Sequence, residues 1–246
     1  MSNSKPLKIL RDHDKLYLSE DRKLKPKEYF KFIATHADAH IKSLDQPRLL
    51  DIGCATGDFL YFLDSVYPQA NLTGVEVSEE LLERARTEVP NCEFKVGDVC
   101  DSDTLPATLF DAVFVVGVHS IFDDLDPWLS NVLSLVDRDR DGKLYVFGMF
   151  NPYDVDVLVK VRPSNSEKDG PWQPGWNCFS MASVGSFLEQ QGVRDYRFHD
   201  FTIGIDVPKN PDDPLRSWSF KYEDGSRGII NGSRMLHDFK LLEVSV

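Results

Sequence analysis

The chain has 246 residues, of which 41% are hydrophobic and 11% aromatic, and a formal net charge of −12. That length suits one α/β domain with insertions and can bury a core, and the composition excludes a disordered chain. An acidic balance repels phosphate backbones, so nucleic acid is a poor default partner. No apolar run approaches the ~20 residues of a membrane span. The polar, basic start Met1–Leu10 lacks the apolar stretch of a signal peptide. Cys54, Cys92, Cys100 and Cys178 form neither a CxxC pair nor a zinc pattern, which reads as free thiols in a reducing cytoplasm.

Residues 1–25 are strongly charged and read as an arm or loose helix. From Pro26 to about Leu44, Phe30, Ile33, Ala37, Ile41 and Leu44 recur at helical spacing. This predicts an amphipathic helix lying on the α/β domain, with Tyr17 and Tyr29 as candidate lid residues. His36 and His40 sit one turn apart, a metal-compatible spacing, but no third ligand is visible and no metal is expected. Arg48–Ile52 reads as a buried strand. Phe59, Leu60, Phe62, Leu63 and Val66 mark a helix ended by Pro68, and Asn71–Val77 a second strand. Ser78 is a candidate N-cap for a helix carrying Leu81, Leu82 and Ala85, with Glu79 and Glu80 in its first turn.

Cys92–Val96 is a third strand, and the apolar run Phe110–Val116 a fourth, covered on both faces. A helix is expected within Ile121–Val136, then a fifth strand over Lys143–Met149. Strand-helix alternation predicts a parallel sheet with helices on both sides. A short helix is expected around Val155–Val161. Ser180 caps a helix to Gln191, with Gly192 just past its end. Tyr196–Ile205 and Phe239–Val246 read as late strands. Trp218–Tyr222 and Arg227–Ile230 read as a hairpin, an inserted flap within 206–234.

The most specific pattern is Leu49 to Asp58, a strand, a glycine-rich turn and a helix start. Gly53 and Gly57 let the backbone turn tightly and approach a ligand, and amides at a helix start favour carboxylate or hydroxyl oxygens. The spacing is G-x-x-x-G, without the middle glycine of a dinucleotide fingerprint. Glu76 ends the second strand roughly 20 residues beyond the loop, where such folds place a carboxylate on ribose hydroxyls. Asp98, after the third strand, can accept a hydrogen bond from an adenine amino group while Val99 packs on the base. All three sites end consecutive strands, the edge at which open α/β sheets bind ligands.

Together these residues resemble the class I S-adenosylmethionine-dependent methyltransferase family. Leu49 to Asp58 resembles its first motif, with Asp51, Gly53 and Gly57 matching. Glu76 matches its ribose-binding acid, Asp98 its adenine-side acid, and Phe110 to Phe122 its fourth-strand motif. The motifs cover about residues 45–150. The resemblance implies a Rossmann-like, mostly parallel seven-stranded sheet whose last strands form an antiparallel hairpin. It also implies S-adenosylmethionine as cofactor, its sulfonium near the fourth strand. Cys54 and Ala55 in the loop, Val77 and Val99 after the acids, and Gly117 and Val118 after the fourth strand complete the expected cofactor site. One domain over 1–246 is expected: an arm or lid (1–44), a cofactor-binding core (45–150) and a substrate-side segment (151–246).

Methyl transfer is an in-line displacement, so positioning matters more than a universal catalytic residue. His119 is the candidate base, because it follows the fourth strand and titrates near neutrality. Asp123 and Asp124 read as surface or capping residues. Tyr153, Arg162, Trp172, Trp176 and Asn177 are candidate substrate contacts, the aromatic ones as walls for a planar acceptor or a cation. A small-molecule acceptor, methylated on O or N, is the expected substrate. The alternatives are a macromolecular (protein or tRNA) methyltransferase and a non-catalytic cofactor-binding partner. The flap at 206–234 is long for a connection and is a candidate cover or homodimer contact.

Overall fold

The computed structural model describes Leu18, residues 23–162, Ser164, residues 171–193 and residues 195–246. Tyr17 and most of the predicted arm lie outside the described residues. Five helices are described: α1 (Glu28–Lys42), α2 (Asp58–Val66), α3 (Glu79–Glu88), α4 (Trp128–Ser134) and α5 (Met181–Gln190). The strands in chain order are β1 (Arg48–Ile52), β2 (Asn71–Glu76), β3 (Glu93–Val96), β4 (Ala112–Val116), β5 (Lys143–Asn151), β6 (Lys160–Val161), β7 (Gln173–Pro174), β8 (Phe179–Ser180), β9 (Asp195–Asp200), β10 (Trp218–Lys221), β11 (Arg227–Ile230) and β12 (Phe239–Ser245).

The main sheet runs β3-β2-β1-β4-β5-β12-β9, with short β8 beside the end of β5. β1 to β5 are parallel, and β12 lies antiparallel between β5 and β9. This is the expected seven-strand path with a late antiparallel pair. Successive strand residues point to opposite faces, so the apolar strands bury both. Leu50, Ile52, Val113, Val115, Leu144 and Val146 face α4 and α5. Leu49, Phe114, Tyr145, Phe147 and Leu241 face α1 and α2. Ser78 and Ser180 cap α3 and α5 as expected, each accepting an amide N–H of the first turn. No helix among the described residues is long and apolar enough to cross a membrane.

Two expectations are corrected. Val155–Val161 is extended and not helical: Val157 bridges Cys178, and β6 pairs antiparallel with β7. Valines at 155, 157, 159 and 161 alternate with other residues, a β-branched, period-two pattern. The late strand from Tyr196 stops at Asp200, and the chain then leaves for the β10–β11 hairpin. The helix expected within Ile121–Val136 is present as α4, starting beyond Pro127.

At the amino-terminal edge of the sheet, one buried carboxylate ties four segments together. Asp111 is 0% exposed. It accepts the Arg48 backbone N–H and the Arg48 guanidinium, both at 2.8 Å, and pairs with Arg140 at 2.9 Å. Arg48 also reaches Asp137 at 2.6 Å, and His40 of α1 hydrogen-bonds the Asp111 carbonyl oxygen. Burial raises the Asp111 pKa, but the Arg48 hydrogen bonds outweigh it and hold the carboxyl below the usual range. Two histidines are buried elsewhere. His119 stacks on Phe150 with 4.7 Å between centroids, and its Nε2 donates to the Met149 carbonyl oxygen at 3.1 Å. Burial pushes both His119 and His237 down to about 4.

Arg48→Met should therefore cost about 2–3 kcal/mol in urea denaturation, because Asp111 loses its main partner while Arg140 remains. The wild-type advantage is present above about pH 4 and is lost as pH falls through the depressed Asp111 value. The histidines act in a higher window. A folded pKa below the unfolded one favours the native state above about pH 6.5 and withdraws that stability toward about pH 4. Unfolding midpoints across that window should fall with pH, and a His119→Gln, His237→Gln double variant should show a flatter slope.

Candidate active site cleft

Residues at the carboxyl ends of β1, β2 and β4, together with the turn after β3, open onto one cleft of about 280 Å³. The turn after β1 carries positive φ at Gly53 (72°), Ala55 (48°) and Gly57 (81°). Glycine is needed at 53 for a second reason: a Cβ there would lie 2.4 Å from a Val118 methyl. The loop after β1 thus packs directly on the end of β4. Amides of Gly53 and Cys54 both bond the Val75 carbonyl oxygen, which holds the turn against β2.

Three acidic residues face this edge. Asp51 is 2% exposed, and its Oδ1 has no partner. Burial, and after it the Glu76 charge, push the Asp51 carboxyl well above the usual range. Glu76 is held at the end of β2 by the Val77 and Ser78 amides on Oε1 (2.9 and 3.1 Å) and the Ala55 amide on Oε2 (3.1 Å). Asp98 accepts the Cys100 amide on Oδ1 at 2.9 Å, while its buried Oδ2 has no partner. Gly117 has φ +74°, and a Cβ there would meet nothing within 4 Å, so the β4 end presents bare backbone.

The structure brings Asp51, Gly53, Cys54, Ala55, Glu76, Val77, Asp98, Val99, Gly117 and Val118 onto the cleft wall. Gly57 stands behind the wall, where a Cβ would lie 3.1 Å from Val89. Tyr29 of α1 does reach the cleft and stacks on Phe147 (centroids 4.8 Å apart).

The acceptor side differs from expectation. His119 does not line the cleft. It is 0% exposed, bonded to Met149, and neutral near pH 7, so the general-base reading is corrected to a packed core histidine. Its ring occupies the space Gly148 leaves, where a Cβ would be 2.0 Å from His119 Cε1. None of the five candidate substrate contacts lines the cleft either. Asn177 is 0% exposed and braces three loops, donating to the Phe122 carbonyl (2.7 Å) and Asp123 (3.0 Å) and accepting the Val159 amide (2.7 Å). Tyr153 and Trp172 are exposed, and Arg162 lies over the Trp172 ring at 4.7 Å. Trp176 sits at φ +63° in the same outer segment.

The mouth is instead built by residues that sequence reasoning passes over. Phe30, Ile121, Phe122 and Trp128 supply apolar walls, and Asp123, Asp124, Asp126 and Lys27 supply charge. Asp123 is ion-paired with Lys160 at 2.5 Å. Adjacency to the fourth strand is the one sequence signal for Ile121 to Asp124; Trp128 lies inside a helix and carries none.

Residues 49–139 match the model of the methyltransferase domain family. The trans-aconitate 2-methyltransferase of Rhizobium rhizogenes is 27% identical over 139 residues, covering 56% of this chain and 50% of that protein. The tRNA (guanine-N(7)-)-methyltransferase of Prochlorococcus marinus is 35% identical over 89 residues, 33% of this chain and 41% of that one. The chain spans about half the length of the curated relatives it matches. Among solved structures, a complex of the Haloferax volcanii Trm112 methyltransferase activator and a methyltransferase aligns with a TM-score of 0.62. It is 16% identical and covers 96% of this chain and 98% of that one, a likeness of fold. The matched segment, which holds the glycine turn, Glu76, Asp98 and β4, is similar to the methyltransferase domain family.

Proposed function

We propose that this chain transfers the methyl group of S-adenosylmethionine to an O or N atom of a neutral or basic small molecule. The observation that carries the reading is the pair of buried carboxylate oxygens without partners, Asp51 Oδ1 and Asp98 Oδ2, in one cleft with Glu76 between their strands. An unpaired buried acceptor is costly unless a ligand satisfies it. The chemistry of this donor set suits the cofactor: Asp51 for the ammonium of its amino-acid tail, Glu76 for the ribose hydroxyls, Asp98 for the adenine amino group.

Bound S-adenosylmethionine supplies a methyl group activated by the adjacent sulfonium. The protein's share is positional. Gly117 leaves open space at the end of β4, so nothing bulky stands between cofactor and acceptor. Phe122, Trp128 and Tyr29 form apolar walls that exclude water and hold an acceptor in line. With His119 buried away from the cleft, no imidazole among the described residues lines it. An amine attacks through its own lone pair and needs no base, which favours N over O acceptors.

Charge argues for a small, non-anionic acceptor. Among the described residues Asp123, Asp124 and Asp126 outnumber Lys27 at the mouth, and the chain is acidic on balance. Such a rim repels polyanions, nucleic acid included.

Glu76→Ala and Asp98→Ala should each weaken S-adenosylmethionine by about 5- to 150-fold, the equivalent of ~1–3 kcal/mol, in calorimetric titration. Wild-type binding should release a proton, because the incoming ammonium lowers the raised Asp51 pKa; heats that do not vary with buffer ionisation enthalpy would contradict this. Metabolite, RNA and protein fractions incubated with isotope-labelled methyl donor should take label in the small-molecule fraction. Label confined to RNA or protein would replace this reading with a macromolecular one. Tight binding without any transfer would make the chain a cofactor-binding partner.

A further inference from the structure

Away from the cleft, three side chains from distant parts of the chain converge beneath α1. His36 lies on α1, His199 on β9 and Glu243 on β12. Each offers one ligand atom, and these atoms all lie within 4.8 Å of one another. Glu243 pairs in register with Tyr145, whose ring belongs to the α1-side core, so the group sits on the sheet face that α1 covers.

The rings are held in place by their neighbours. His36 and His199 have centroids 4.1 Å apart, and Phe32 packs against His36 at 4.6 Å and 68°. His199 Nε2 shares a proton with Glu243 Oε2 at 2.9 Å. Lys143 donates to the other oxygen, Oε1, at 2.6 Å, which fixes the carboxylate. The His199–Glu243 bond explains two members of the group. It leaves His36 unexplained, since His36 hydrogen-bonds neither.

We propose that His36, His199 and Glu243 form a binding site for a divalent transition metal of the zinc type, with water in the fourth position. Two imidazoles and one carboxylate are a recognised donor set for such an ion, and all three residues are partly solvent-accessible, so an ion has a path in. Tetrahedral bonds of about 2.1 Å place ligand atoms about 3.4 Å apart. The widest pair here therefore closes by at most about 1.4 Å, a change that side-chain rotation supplies. The metal replaces the proton shared by His199 and Glu243. Lys143 then acts as an outer hydrogen-bond donor that orients the ligating carboxylate. Arg197, opposite Glu243 in the β9–β12 ladder, adds positive charge on the same face and moderates the affinity.

The consequence concerns α1. Its first turn sends Tyr29 and Phe30 to the cleft, and His36 lies about two turns further along. An ion at His36 ties that helix to β9 and β12, strands from the other end of the chain. The proposal stands apart from the cofactor reading and survives its failure.

The test uses the full chain, stripped with a chelator and titrated with zinc chloride by calorimetry, with cobalt(II) absorption as an independent readout. Expected are one saturable site, a higher melting temperature with zinc, and visible cobalt bands of four-coordinate intensity. His36→Asn and His199→Gln should each weaken uptake by more than about tenfold, the scale on which even outer groups matter at such sites. His40→Asn should leave uptake unchanged. Circular dichroism checks that each variant folds, and should the strand variant His199→Gln fail to do so, the helix-surface variant His36→Asn decides alone. Absence of saturable uptake by the wild type, or undiminished uptake in His36→Asn, would overturn the site.

Discussion

The two edges of the sheet treat buried carboxylates in opposite ways, and the rest of the molecule depends on that contrast. At the amino-terminal edge Asp111 is fully buried and fully compensated, by Arg48 and Arg140. At the carboxyl edge Asp51 is nearly as buried, has an oxygen without partner, and lies close enough to Glu76 for that charge to raise its pKa. Both residues belong to adjacent central strands or their immediate flanks. The compensated edge ties the fold together, since breaking such a pair leaves a bare charge. The uncompensated edge is costly in isolation, and such a concentration of unsatisfied acid is what a cationic ligand repairs.

The carboxyl edge is also where backbone freedom is concentrated. Gly53 must be glycine both for its positive φ and for its contact with Val118, so the turn after β1 and the end of β4 are mutually fitted. Gly117 shows the converse, with open space where a side chain would stand. One glycine closes the seam between two strands and the other keeps the neighbouring position clear. Both lie in turns whose flanking strands are buried on both faces, so the geometry rests on a rigid support.

What can be read from the sequence is what local chemistry determines. The strands β1 to β5, the serine caps, the glycine turn and the positions of Glu76 and Asp98 are encoded within a few residues of where they act. His119 shows where that ends. Its place after the fourth strand is right for a base, but a single 3-10 turn from His119 to Ile121 directs the ring inward, into the gap left by Gly148 on the next strand. No local pattern reveals that a glycine far along the chain leaves room for an imidazole. Asn177 is similar: its amide looks free for a ligand in the sequence, yet the backbone of Phe122 and Val159 consumes it. The valine run at 155–161 misleads for a different reason, because its apolar content suggests a helix while its β-branching and period of two specify a strand. His36 shows only His40 as a partner at helical spacing; His199 and Glu243 lie in the last strands and cannot be seen from the helix alone.

The acidic character of the chain fits the proposed chemistry at two ranges. At long range, a net charge of −12 attracts a cation and speeds its encounter with the protein, an effect that salt screens over about 10 Å. At short range, Asp51 and the mouth acids Asp123, Asp124 and Asp126 line the same cleft. Methyl transfer to a neutral amine moves the positive charge from sulfur to the acceptor nitrogen, and the demethylated product leaves with one charge fewer. The field that draws the cofactor in therefore holds the spent form less strongly, which eases exchange after each turnover. A polyanionic acceptor would meet the same field with the wrong sign on approach. Among the described residues Lys160 pairs with Asp123, and Asp124 and Asp126 still outnumber Lys27 at the entrance. On the proposed reading, the electrostatics of this cleft select for the charge state of both reactants before any shape complementarity is tested.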